Sequence, residues 1–256
     1  MNVKMILAAP CLAMLAACGG GGSSTGAVSY TALKVFSNGD GVGRGVASDG
    51  TKVVFITPDV GETVEAANTG SSAALNVTAS DFPVVQNLAT NAKLRQGAVT
   101  IEGIAANVTI VEDLGGDASL ILFDIPNYAS LGMAGGSAMT GNPTGTHTYN
   151  GTMTMGSRLA GGAGQQLGSF SMSANFDTQA YSFSGSTANH SLNGTGLIDT
   201  ASGRFSSNNL NATTFGTGRS ATMYGELHGN AANSVSGVFH TNESSATYSG
   251  GFVGSK

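Results

Sequence analysis

The second half of this chain repeats one arrangement: a bulky apolar residue, a polar spacer and a glycine. It occurs at Tyr149-Asn150-Gly151, Phe183-Ser184-Gly185, Leu192-Asn193-Gly194 and Tyr248-Ser249-Gly250. In an extended strand, residues i and i+2 lie on the same face, so each bulky side chain has a bare glycine beside it. Glycine lets a strand bend sharply, and a neighbouring ring can cover the exposed backbone. The pattern therefore favours a closed, coiled antiparallel sheet.

Strict alternation supports the same interpretation. From Phe170 to Phe176, apolar and polar residues alternate without interruption, which is the period-2 pattern of a strand with one buried face. The turn at 177–179 is followed by renewed alternation from Tyr181. Counting such runs predicts eight short strands, the number that closes a small barrel filled by side chains. The predicted strands lie near 147–156, 168–176, 180–186, 191–199, 203–214, 220–228, 234–241 and 246–253.

The first half is also rich in strand signals but is less regular. Candidate strands lie at 30–36, 52–57, 74–78, 98–101, 107–111 and 119–125, with hairpin-type turns such as Asn38-Gly39 between them. We expect a helical turn at 89–95, a solvated hairpin tip around Glu112, Asp113 and Asp117, and a glycine-rich boundary at 133–145. The predicted fold class is all-β: a C-terminal eight-stranded antiparallel β-barrel preceded by a smaller β-rich region.

The amino-terminal segment has the form of an export signal. Lys4 supplies positive charge, residues 5–14 form a short apolar run, and Leu15-Ala16-Ala17-Cys18 resembles a bacterial lipobox. The apolar run is too short for a stable transmembrane helix. We therefore expect acyl chains, palmitate among them, on Cys18, because several chains anchor a protein stably. An ordinary secretory peptide with a chance cysteine is the alternative.

These patterns predict four segments. A lipoprotein signal peptide occupies 1–17, and the lipidated Cys18 with a flexible Gly/Ser tether occupies 18–27. A β-rich domain follows at 28–142, and the barrel domain occupies 143–256.

Composition argues against several function classes. The mature chain has 9 basic and 15 acidic residues and no Lys/Arg cluster, so nucleic acid is not an expected partner. Cys11 leaves with the signal and Cys18 carries lipid, which excludes disulfides and a cysteine nucleophile. The pattern Gly-x-Ser-x-Gly occurs only at 22–26, inside the Gly/Ser tether, where no strand-to-helix nucleophile elbow is expected, and no His-Glu-x-x-His or P-loop motif occurs. We expect a monomeric protein that is not an enzyme and has no catalytic residues.

Histidines are the candidate ligand residues. His147 is in phase with Tyr149 on the apolar face of its strand, where the pair could bind haem iron. A hydrated histidine at the barrel rim is the alternative. His190 falls in a turn at 189–191, a position that could present a ligand or nothing.

His228 and His240 lie on either side of a turn at 230–233. Antiparallel pairing could bring them together. Nothing supplies third and fourth ligands at a fixed spacing, so no metal site and no obligatory cofactor is expected, with haem kept as an open possibility.

Several segments resemble the barrel of transferrin-binding protein B and its relatives. In that family a Pro and a Gly precede a Thr-Ala-Tyr-x-Gly strand, and the closing hairpin reads Phe-Tyr-Gly-Pro-Asn-Ala, Gly-Gly-x-Phe, Gly-x-Phe-Gly-x-Lys/Arg. The similar stretches here are 143–151, 168–176, 197–206 and 223–256, with 128–132 matching the end of the family's "handle" region. The resemblance covers about residues 128–256. It departs from the pattern at Glu226-Leu227-His228-Gly229, which replaces a compact Pro turn.

The resemblance implies a surface-exposed outer-membrane lipoprotein that serves iron acquisition or a related capture of ligands. Its ligand would be a host or partner protein, or an iron source such as haem, bound by barrel and handle-like loops. Some single-barrel relatives are exported by an outer-membrane translocon, which is therefore a further expected partner. Two alternatives stay open: a periplasm-facing structural or assembly lipoprotein without a nutrient ligand, and a haem carrier that uses histidine ligands.

Overall fold

The computed structural model describes residues 29–30, 41–46, 52–57, 77–78, 82–101, 104–115, 118–125, 129–136, 139–157, 165–242 and 248–256. The expected signal peptide, Cys18 and the tether lie outside these residues. All regular elements within the described ranges are β-strands. No helix in them has the length and apolar character needed to cross a membrane.

The strands of the first half form two sheets. Strands β1 and β4 pair as a two-stranded ladder, and seven others form one antiparallel sheet in the order β2-β3-β9-β8-β7-β6-β5. Their bounds are β1 Ser29–Tyr30, β2 Gly41–Val46, β3 Lys52–Thr57, β4 Val77–Thr78, β5 Val84–Leu88, β6 Ala92–Ile101, β7 Ile104–Asp113, β8 Ala118–Ile125 and β9 Ala129–Gly136.

The remaining eight strands form a closed antiparallel barrel in which sequence neighbours pair. They are β10 Thr146–Ser157, β11 Gln166–Asn175, β12 Ala180–Ser186, β13 His190–Asp199, β14 Arg204–Thr214, β15 Thr217–His228, β16 Ser234–Thr241 and β17 Tyr248–Ser255. Closure comes from β10 and β17, which place Asn150 opposite Ser255. The predicted all-β fold class and the eight-stranded barrel are confirmed, and each barrel strand lies close to its predicted position.

Aromatic rings fill the barrel by covering glycines on the neighbouring strand. Phe205 lies opposite Gly225, and a Cβ at that glycine would overlap the ring. Phe252 lies opposite Gly237, where a Cβ would sit 2.5 Å from Cζ of the ring. The glycines therefore provide the space that these rings occupy, as the coiled-sheet pattern predicts.

The barrel has two ends that differ in their connections. The "loop end" carries the turns at 187–189 and 215–216, and the "tail end" carries those at 176–179, 200–203 and 229–233 together with Lys256. At the tail end the Lys256 ammonium donates a 2.9 Å hydrogen bond to the carbonyl of Ala231.

The seven-stranded sheet packs against the outer wall of the barrel. Leu120 and Leu122 of β8 share one apolar cluster with Val238 of β16 and Val253 of β17. The Ser255 hydroxyl also donates to Oδ1 of Asp113 at 3.4 Å. This contact buries the outer faces of β16 and β17 and of the second half of β15, whereas the first residues of β15 remain exposed.

Two expectations for the first half are wrong. Residues 89–95 are not helical: a turn ends at Asn91, whose φ is 56°, and β6 begins at Ala92 because Ala92 and Leu94 are buried on one face. Two of the three acidic side chains of the expected solvated tip are not free in solvent, because Asp113 accepts a hydrogen bond from Ser255 and Glu112 accepts a 2.6 Å bond from Arg95; Asp117 lies outside the described residues.

The glycine-rich segment expected as a boundary at 133–145 contains the change from the sheet to the barrel, since β9 ends at Gly136 and β10 begins at Thr146. Its first residues complete β9, which pairs with β3 on one side and β8 on the other. Small side chains such as Ala134 let this strand approach the barrel, since Ala134 belongs to the cluster shared with Val238.

Candidate ligand site at the loop end of the barrel

His147 lies on the inner face at the tail end. Its ring is 5.0 Å from the ring of Phe176 and 6.4 Å from that of Tyr149. The Lys256 ammonium lies 3.4 Å from Nδ1 of His147. Burial, and then the charge of Lys256, lower the pKa of this imidazole. An ammonium beside the ring nitrogen makes this a poor position for a bound metal cation.

Tyr149 does not offer a free hydroxyl. The side chain is fully buried, and its hydroxyl donates a 2.6 Å hydrogen bond to the carbonyl of Ala232. Burial raises the pKa of Tyr149 well above the usual range of a phenol. The phenol therefore stays protonated and locks the turn at 229–233 to the barrel interior.

The expectation that His228 and His240 come together is wrong. Pairing of β15 with β16 starts with His228 opposite Ser234, and His240 lies opposite Thr222, so the two imidazoles are separated by roughly 20 Å along the ladder. Both lie on the outer wall under the seven-stranded sheet. His228 Nε2 is 2.7 Å from the Ser236 hydroxyl, and His240 Nδ1 is 2.9 Å from the Thr241 carbonyl.

His190 does not lie in an open turn, as the sequence indicated, but begins β13 at the loop end. Its side chain is 3% exposed, and neither ring nitrogen has a hydrogen-bond partner among the described residues. The ring meets Phe215 edge-on at 5.1 Å and lies 5.4 Å from the ring of Tyr248. Burial lowers the pKa of His190, so the imidazole is neutral at pH 7.

Phe215 is a functional candidate that sequence reasoning missed. With Gly216 it forms the two-residue turn between β14 and β15, with φ values of 47° and 78°. Turns with two positive φ values favour Asn-Gly, because a left-handed conformation strains a bulky residue. The Phe215 side chain is nevertheless 54% exposed. In the sequence, the only sign of this site is a phenylalanine directly before glycine between two strands, where a hairpin turn favours asparagine.

A cavity of about 430 Å³ lies between the two loop-end turns. His190, Phe215 and the hydroxyl or amide side chains of Thr187, Asn189 and Thr213 line it, and no charged side chain contributes. The backbone N–H of Phe215 donates to the Asn189 carbonyl at 3.0 Å and holds the two turns together. The cavity thus combines an exposed ring, polar walls and an unpaired neutral imidazole.

A positive charge lies beside this cavity without lining it. The Arg219 guanidinium carbon is 5.2 Å from the centre of the Tyr248 ring, and Arg219 Nε donates to the Thr214 hydroxyl at 2.8 Å. The Tyr248 ring also lies 5.4 Å from the His190 ring, so the charge of Arg219 would disfavour a second cation near that imidazole.

A second cleft, of about 570 Å³, lies between the turn at 89–91 and the outer wall of β10–β12. Serine, threonine, asparagine and glycine dominate its lining, and it contains no titratable side chain. Among the described residues, no group of three or more His, Cys, Asp or Glu side chains is placed to hold a metal ion. The loop-end cavity is therefore the better equipped site for a specific ligand.

No protein-family model matches the chain, and no curated protein matches it. Its structure is similar to isotype 1 transferrin-binding protein B of serogroup B Neisseria meningitidis, with TM-score 0.50, 14% identity and coverage of 85% of this chain and 49% of that one. It also matches the apo haemoglobin receptor HpuA of Kingella denitrificans, with TM-score 0.49, 13% identity and 89% of each chain covered.

The chain spans about half the length of the transferrin-binding protein, and at such low identity the likeness concerns architecture alone. The closed barrel, the sheet packed on its wall and the segments quoted above agree with it. The chain has the fold of transferrin-binding protein B.

Proposed function

We propose that the chain is an outer-membrane surface lipoprotein that captures a protein ligand through the loop end of its barrel. One observation carries the proposal: Phe215 is exposed at a turn position where its own backbone is strained. Strain of this kind persists where the surrounding structure over-determines it, and it concentrates at ligand-binding sites. A rigid barrel presenting a strained aromatic tip fits a binding module better than a structural one.

Two further features support the proposal. Exposed aromatic side chains beside a cavity are typical anchors of protein interfaces, where a few residues supply most of the binding energy. The lipobox at Cys18 and the Gly/Ser-rich residues after it would tether the barrel at a membrane while leaving the loop end free. The fold is also that of a protein named for binding transferrin.

The test compares two exposed apolar residues on one barrel. The lipid-free form, residues 27–256, is immobilised as wild type, Phe215→Asn and Leu197→Asn, and host fluids are passed over each. Leu197 is 71% exposed on the wall of β13, so it controls for a generic sticky surface. We expect a retained protein to be lost from Phe215→Asn and kept by Leu197→Asn.

A loss of capture by Phe215→Asn will not be due to unfolding of the variant. Asparagine relieves the turn but gives up the contact with His190, so the free energy of unfolding should change by less than about 1 kcal/mol. Equal retention by all three proteins would show that the loop end is not the capture surface.

Surface display is tested separately by adding a proteinase to intact cells that carry the full chain. Digestion of the barrel is the expected result, and lysed cells give the control for intrinsic cleavability. Complete protection in intact cells, with cleavage after lysis, would favour the periplasm-facing alternative.

A haem carrier is the second candidate, because His190 contributes to a cavity and its two ring nitrogens have no hydrogen-bond partner among the residues that the structure describes. When bound, haem would supply a ferric iron that accepts an imidazole nitrogen. Hemin added to the protein should then give a Soret band that is lost in His190→Ala and kept in His147→Ala, whose ring nitrogen faces Lys256. No spectral change in the wild type would remove this candidate.

A further inference from the structure

The loop-end cavity is lined in part by a residue whose hydrogen-bonding groups are unsatisfied among the described residues, His190. A neutral imidazole has one nitrogen that accepts and one that donates, and buried groups of this kind are almost always paired. His190 is 3% exposed, yet neither nitrogen has a partner in the described part of the chain. His190 is one of the residues that line a cavity of about 430 Å³, and its two ring nitrogens are shielded from solvent, with Phe215 packed against the ring, so a ligand that displaces Phe215 can supply the missing bond.

The surroundings restrict what that ligand can be. Phe215 offers an exposed ring, and the other described side chains of the lining are hydroxyl and amide groups without charge. A buried carboxylate would lack a paired cation in this lining, and an aliphatic group would leave the imidazole unsatisfied. Arg219 beside Tyr248 disfavours a cationic ligand.

We propose that this cavity accepts an aromatic side chain carrying one hydrogen-bond donor, a phenol or an indole, from the captured protein, with the donor bonded to His190. This step rests on the proposed function and names the anchor that the partner inserts. The ring packs against Phe215, which moves aside from the imidazole, and the phenolic O–H or indole N–H donates to the accepting nitrogen. Tyrosine and tryptophan are also the residue types most enriched at interface hot spots.

The tail end provides an internal comparison. His147 also lies between two aromatic rings, at 5.0 Å from Phe176 and 6.4 Å from Tyr149. Its Nδ1, however, already faces the Lys256 ammonium at 3.4 Å. The proposal therefore predicts that donor-bearing aromatics act on His190 and leave His147 unchanged.

The experiment uses small probes and histidine ring NMR signals of the wild-type lipid-free form, residues 27–256, which retains every described strand. p-Cresol, 3-methylindole and toluene are titrated at pH 7.5. We expect p-cresol or 3-methylindole to shift the His190 ring nitrogens and to bind about fivefold to tenfold tighter than toluene, the value of one hydrogen bond. The two donor probes separate a phenol from an indole anchor.

A second measurement repeats the titration at decreasing pH while the His190 ring signals report its protonation. Protonated imidazole has no accepting nitrogen, so the advantage of the donor probes over toluene should disappear as these signals show protonation. Equal binding of toluene at pH 7.5, no shift of His190, or an equal shift of His147 would each overturn the proposal. A negative probe result combined with Phe215-dependent capture would refute this anchor and leave the proposed function intact.

Discussion

At the scale of single residues, the barrel depends on glycines whose missing side chains leave space for aromatic rings of the paired strand. Gly225 and Phe205 form one such pair, and the ring occupies the space where any β-carbon would lie. A side chain at this glycine must displace an aromatic ring that is itself buried. The glycine is therefore part of the packing and does not merely loosen the strand.

Gly225→Ala should lower the free energy of unfolding by about 1–3 kcal/mol, the usual effect of overpacking a core. Gly218→Ala in the same strand is the matched control, because its Cβ would lie 3.9 Å from Asn211 Oδ1, an ordinary contact. Urea denaturation of both variants measures the difference. Equal stabilities would mean that the Phe205 ring can move without cost.

A second prediction at this scale concerns pH. Burial lowers the pKa of His190 in the folded state below its unfolded value of 6.5, and the pKa of His147 moves in the same direction. The unfolded chain therefore binds protons first on acidification, so stability present above pH 6.5 is lost as pH falls through the lower folded pKa values.

Urea midpoints should thus decrease between pH 7.5 and pH 5. His190→Gln, which cannot titrate, should reduce this decrease, while His147 keeps part of it. An unchanged pH dependence in His190→Gln would indicate that His190 is protonated without cost in the folded protein.

At the scale of elements, local patterns predicted the barrel strands and also β3, β7 and β8 of the first sheet, but they missed β2, β5 and β9. The alternation from Phe170 to Phe176 is a property of one strand, so it can be recognised without knowing the partners. β9 contains small residues such as Ala134 and lacks a strand-like composition; it is a strand because β3, β8 and the barrel surround it. Strand propensity of this kind depends on context.

The site illustrates the same limit. His190 was recognised as a candidate, but its burial comes from Phe215 and Tyr248 on other strands, which no local pattern reveals. Phe215 is recognisable only once its turn is known to need two positive φ values. Functional residues that break a local conformational preference, as Phe215 does in its turn, are the ones that sequence patterns fail to predict.

One element-scale prediction concerns the packing of β8 on the barrel. Leu120 is fully buried between the sheet and β16–β17. Leu120→Ala should lower the free energy of unfolding by about 2–5 kcal/mol, because it removes buried methyl groups and leaves a cavity. Val85→Ala, at a side chain 50% exposed on β5, should change it by less than about 0.5 kcal/mol. Equal effects would refute this packing as a stabilising contact.

At the scale of the whole molecule, the sheet and the barrel share one apolar interface. The outer wall of the barrel buries Val238 and Val253, as well as Glu226, which pairs with Arg204 at 3.3 Å. An isolated barrel would expose this apolar patch to solvent, and such patches promote aggregation. The two parts are therefore expected to depend on each other for solubility.

Residues 143–256 expressed alone should consequently self-associate, whereas residues 27–256 should remain monomeric. Size-exclusion chromatography at several concentrations, with binding of a hydrophobic dye, measures the difference. A monomeric isolated barrel with unchanged stability would instead show that the interface contributes little.

Closure of the barrel by β10 and β17 also has a kinetic consequence. Asn150 and Ser255 are about a hundred positions apart, so the final ladder forms only after nearly all of the barrel sequence is present. Folds dominated by such distant pairings form slowly, because loop-closure entropy must be overcome before the contacts form. Until that ladder forms, both of its strands present unpaired edges. A barrel built this way stays open until its last strand is available, and the same pairing that completes the fold ends the interval in which its edges are exposed.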